Sequence, residues 1–70
     1  MTDPAIAQAI ACLRHQRERH LRAAEEIMSR EAALGHHRAA EQIAREIDAL
    51  NRAPECEAAL WALARVDWAP

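Results

Sequence analysis

Four histidines, two cysteines and a cluster of arginines are the side chains of this 70-residue chain that could do chemistry. A metal site needs ligands that converge on one point. His15 and His20 stand five residues apart and point to different faces of a helix, while His36 and His37 are adjacent and diverge. With a hairpin corner at Gly35, a rise of about 1.5 Å per residue separates His20 from His36 by roughly 20 Å or more. The Glu-x-x-His motif of carboxylate-bridged bundles does not occur. The expectation is therefore no metal ligand and no cofactor.

Nucleophilic chemistry has equally little to work with. Cys12 is placed on the solvated side of its helix and Cys56 on the apolar side of its own, so neither meets a histidine as an activated thiol must. Their separation fits neither a disulfide framework nor a zinc motif. Ser29 is the one serine, and no glycine-rich phosphate loop is present. The chain is expected to have no catalytic residues and not to be an enzyme.

Arg14, Arg17, Arg19 and Arg22 lie within nine residues, with two histidines and Glu18 among them. Clustered arginine on a helix is the electrostatic footprint of a nucleic-acid contact. Acids one helical turn away offset much of that charge, and the whole chain carries a formal net charge of -2. Arg17 falls within the apolar face. It could anchor a carboxylate or phosphate of a partner, or it could bond the carbonyls freed where the second helix ends or pair with Glu55 or Glu57. Trp61 and Trp68 are the strongest pointers to binding. The chain has no Phe or Tyr, and Trp is enriched where one protein fills a pocket of another. Trp68 stands seven residues after Trp61 and would lie on the same side if the helix persisted beyond about Val66. Trp61, Trp68 and the neighbouring Arg65 are the candidate partner-binding residues. Cys56, Leu60, Leu63 and Ala64 are the candidate core stripe beneath them.

The elements that must position these residues are all helical. Asp3-Pro4 is an N-cap followed by proline at the first helical position. No glycine or proline then interrupts the chain until Gly35, the only glycine, which sits where a helix C-cap would. The fold class is all-α: a helical hairpin within one domain, residues 1–70. Helix 1 spans about 4–34, a turn falls at Gly35, helix 2 spans about 36–50 and is broken at Pro54, and a short helix 3 spans about 54–66. Ile6, Ile10, Leu13, Leu21, Ala24, Ile27 and Met28 form one face of helix 1. Arg14, Glu18, Arg22, Glu26 and Arg30 form an alternating ladder behind it. Ala40, Ile43, Ile47 and Leu50 form the stripe of helix 2. Folding at Gly35 brings Ile27 and Met28 to Ile43 and Ala24 to Ile47. The polar run from Arg14 to His20 then meets the break at Asn51–Pro54. Helix 3 either continues helix 2 along helix 1, bringing Leu60 to Ile10, or folds back into a three-helix bundle. The first arrangement is favoured.

Leu34-Gly35, with Ala40 and Pro54 after them, resembles the second helix of a tetratricopeptide hairpin. The family's aromatic positions are missing, and one hairpin stands where repeat folds need about three units. The resemblance implies hairpin geometry and no function.

A core of Leu, Ile and Ala is thin, and a chain this short buries only about 60% of its unfolded surface. Pairing two hairpins into a dimeric helical bundle would cover it. No apolar run reaches the roughly 20 residues that span a bilayer, and a signal-peptide pattern is absent, so a cytoplasmic location without a membrane partner is expected. The sequence points to a small non-enzymatic interaction protein, probed by its tryptophans: a homodimeric regulator, adaptor or inhibitor, phage-encoded by analogy, that binds another protein. The alternative is a nucleic-acid-binding regulator using Arg14 to Arg22.

Overall fold

The computed structural model describes residues 3–68. Over these the chain is all-helical, 83% helix, with no strand. Helix α1 spans Pro4–Glu26, α2 spans Arg30–Arg52 and α3 spans Glu57–Arg65.

Each helix begins on a side chain that accepts from its first turn. At α1 the Asp3 carboxylate takes the Ala5 N–H at 2.8 Å, and Pro4 follows at N1 as expected. At α2 the Ser29 hydroxyl accepts from the Ala32 N–H at 3.3 Å, with Glu31 in the first turn. At α3 the Cys56 Sγ accepts from the Ala59 N–H at 3.4 Å, after Pro54 has ended the previous ladder.

The turn is not at Gly35. It occupies Ile27, Met28 and Ser29, and Gly35 lies inside α2 without a positive φ. Two effects favour the earlier break. Glu25 and Glu26 stand at the negative end of the α1 dipole, which disfavours further helix, and Ser29 with Glu31 starts a new one. The decisive effect is packing. Two helices of 23 residues cover one another along their full length, whereas a turn at Gly35 would set a long helix against a short one. The ladder ends with the helix: Arg30 belongs to α2. Among the described residues no step from Arg14 to Glu26 forms an ion pair, and the exposed pair on α2 is Arg52 Nε to Asp48 Oδ1 at 3.0 Å.

Moving the turn changes every pairing across the hairpin. Ala9, Ile10 and Leu13 of α1 meet Ile43 and Leu50 of α2 in the core, joined by Ala59, Ala62 and Val66. Ile27 and Met28, expected against Ile43, sit exposed in the turn, Met28 almost wholly so. The polar run Arg14–His20 does not face Asn51–Pro54. Its Gln16 and Arg19 instead meet the end of α3, through Asp67 N–H to Gln16 Oε1 at 3.1 Å and Arg19 Nη2 to Asp67 Oδ2 at 3.4 Å. These contacts show α3 folded back, running parallel to α1, so the extended arrangement is not adopted.

The buried face of α3 is also turned from the expected one. Ala59 and Ala62 are fully buried, while Leu60 and Ala64 are exposed. Small side chains let the α3 backbone approach the hairpin closely, and the larger ones are left outside. Cys12, expected toward solvent, is half-buried and packs against the core, as Ile6 and Ile47 do.

Candidate functional site

Helix α3 reads EAALWALAR, apolar for seven consecutive residues. A helix apolar all round is ordinarily buried on every side, whereas α3 packs against the hairpin on one side only and leaves the other exposed. With Ala59 and Ala62 turned inward, Leu60 and Trp61 are left 56% and 61% exposed. Glu57, Leu60, Trp61 and Ala64 line a shallow apolar groove of about 250 Å³ on the outer side of α3.

The other two expected members of this surface are placed differently. The helix ends at Arg65, and Val66 is extended with φ -60° and ψ 134°. The helical phase that would align Trp68 with Trp61 therefore breaks before Trp68, which is 47% exposed beyond the helix. Arg65 is turned to another cleft, of about 140 Å³, where α1, α2 and α3 meet. Gln16, His20, Gln42 and Glu46 supply the rest of its polar lining. Glu46 is only 5% exposed, the one buried charged residue among those described.

The four arginines do not form one patch. Arg14 and Arg17 line a cleft with Glu18, Ala44 and Ile47. Arg19 lies on another side, joined to Asp67, and Arg22 is exposed. Arg17 is exposed too, and among the described residues it forms no ion pair with Glu55 or Glu57. Its expected neighbour at the end of α2 is replaced by Ala44 and Ile47, because the turn lies earlier.

The histidines differ most from expectation. His20 and His36 are sixteen residues apart in sequence, and their Nδ1 atoms are 2.9 Å apart. The ring centroids lie 5.2 Å apart with a 42° tilt. Both are half-buried, whereas His15 and His37 are exposed. A neutral pair at this distance is a hydrogen bond in which one ring donates from Nδ1 and the other accepts. Ser29 carried the signal for this pairing: a turn at residues 27–29 sets residues 20 and 36 at equal distances from it. Glu46 was also legible in principle, since the i, i+3, i+7 series through Ile43 and Leu50 passes through it. Among the described residues no group of three or more His, Cys, Asp or Glu converges.

No protein-family model matches the chain, and neither a curated protein nor a solved structure does. No helix among the described residues is long and apolar enough to cross a membrane.

Proposed function

We propose that this chain is a small non-enzymatic interaction protein, a regulator, adaptor or inhibitor in the cytoplasm, that binds a partner protein through the outer face of α3. The observation that carries this reading is the adjacent exposure of Leu60 and Trp61, 56% and 61%, in a chain with only two aromatic residues of the Phe, Trp and Tyr type. Exposed Trp beside an aliphatic residue is the composition of an interface anchor, and an apolar patch of this kind marks an interaction site.

Without the partner, the same face is covered by a second copy of the chain. A two-fold arrangement sets Leu60, Trp61 and Ala64 against their counterparts, with Glu57 the one charged residue that lines the groove. Light scattering across a concentration series tests this. The wild-type chain is expected to be a dimer, and Trp61→Ala a monomer with unchanged helix content. A wild-type monomer at every concentration, or a dimer that survives Trp61→Ala, overturns the reading. The nucleic-acid alternative has less support, because Arg19 is turned away from Arg14 and Arg17 and tied to Asp67. Binding to duplex DNA that falls steeply with salt, and is lost in Arg19→Ala/Arg22→Ala, would restore it.

A further inference from the structure

The close approach of His20 and His36 has a chemistry of its own. Neutral imidazole binds late first-row divalent ions, and ligand nitrogens sit about 2.0–2.1 Å from such an ion. Two nitrogens at that distance, at right angles about the metal, are about 2.9 Å apart. A tetrahedral pair would need about 3.3 Å. The observed Nδ1···Nδ1 separation is 2.9 Å, the spacing of neighbouring corners of a square or octahedral site.

We propose that His20 and His36 form an interhelical two-imidazole chelate for a divalent ion of the Cu(II) or Ni(II) type, with water in the remaining positions. Each helix leaves room for it. One turn to either side of His36 stand Ala32 and Ala40, and one turn to either side of His20 stand Gln16 and Ala24. Arg19, the cation next to His20 in sequence, is paired with Asp67, Arg17 lines the cleft with Ala44 and Ile47, and Arg22 and Arg38 are exposed. Gln16, Gln42 and Glu46 share a cleft with His20 and offer polar groups that water on the metal can bond.

The exchange balances without a redox step. In the free pair one Nδ1 carries the hydrogen that the other accepts. When the ion enters, that ring takes its tautomer with hydrogen on Nε2, freeing its Nδ1 lone pair. Both rings remain neutral and no net proton is released. Because the ligands come from two helices, the chelate forms only in the folded hairpin. Binding the native state alone raises its stability by mass action.

Thermal unfolding of the full chain with and without nickel chloride tests the site, in a non-coordinating buffer at about pH 8, where free imidazole is neutral. At a nickel concentration about a hundredfold above Kd, the midpoint is expected to rise by about 10–20 °C. His20→Ala and His36→Ala should lose the shift, and His15→Ala/His37→Ala should keep it. His20→Gln preserves a hydrogen-bond partner for His36 while removing the second imidazole, so it should fold and yet show no shift. With Cu(II), electron paramagnetic resonance should show two equivalent nitrogen ligands in the wild type and at most one in His20→Gln. No wild-type shift, a shift that persists in His20→Gln, or one lost with His15 and His37 overturns the proposal, leaving the pair a hydrogen bond only.

Discussion

Leu50 is the largest side chain that is fully buried, 1% exposed, and it joins α2 to both other helices through the core. The rest of the core cluster is Ile10, Leu13, Ile43 and Val66 with the small side chains of Ala9, Ala59 and Ala62. Leu50→Ala removes the transfer energy of the lost carbons and leaves a cavity between rigid helices, at a cost of about 2–5 kcal/mol. Against the roughly 5 kcal/mol at the low end of domain stabilities, that is enough to leave a large unfolded fraction. Urea unfolding followed by circular dichroism checks it: the midpoint should fall sharply, and a shift worth less than about 1 kcal/mol would show that the core is not organised around Leu50.

Gly35 tests the arrangement of elements. It lies inside α2, its φ is not positive, and a Cβ added there would meet nothing within 4 Å. Gly35→Ala should therefore stabilise the fold by about 0.5–1 kcal/mol, through the helix propensity and chain entropy that glycine forfeits. A C-cap glycine at the hairpin corner would give the opposite sign, so one unfolding curve decides where the turn is. The start of α1 was legible because Asp3-Pro4 acts locally, and so was the break at Pro54, because a missing N–H acts locally. The hairpin corner was not. Gly35 is a strong local cue, and the gain from matching two helices along their length outweighs it. The site residues followed the corner. Once the turn lies at residues 27–29, His20 meets His36 and Arg17 loses Glu55 and Glu57. The face of α3 was illegible for another reason: seven apolar residues in a row have no periodicity to read, and alanines at 59 and 62 are chosen for close approach rather than for hydrophobicity. Exposure of Trp61 survived that rotation; its alignment with Trp68 did not, because the helix ends at Arg65.

The whole molecule is longer than a compact chain of its size. Its radius of gyration is 12.8 Å and its extents are 43 × 23 × 17 Å, where a compact 70-residue domain would have a radius of about 11 Å. The excess length belongs to the hairpin. Helix α3 has nine residues against 23 in each partner, and it covers the end holding Ala9, Ile10, Leu13, Ile43 and Leu50. The other end has two helices only, and Ile27, Met28 and Leu34 are exposed there. The dimer proposed above covers the outer face of α3 and so adds nothing to this end.

That uneven cover has a consequence for the order in which the chain lets solvent reach its backbone. Segments with few buried neighbours open at a lower free energy than the molecule as a whole. Deuterium should therefore enter the amides of residues 23–26 and 33–36 by partial opening, well before those of residues 10–13 and 46–50. The slow set should exchange only when everything opens together, tracking Leu50→Ala but not changes at the tip. Uniform exchange along both long helices would mean that the hairpin opens as a single unit.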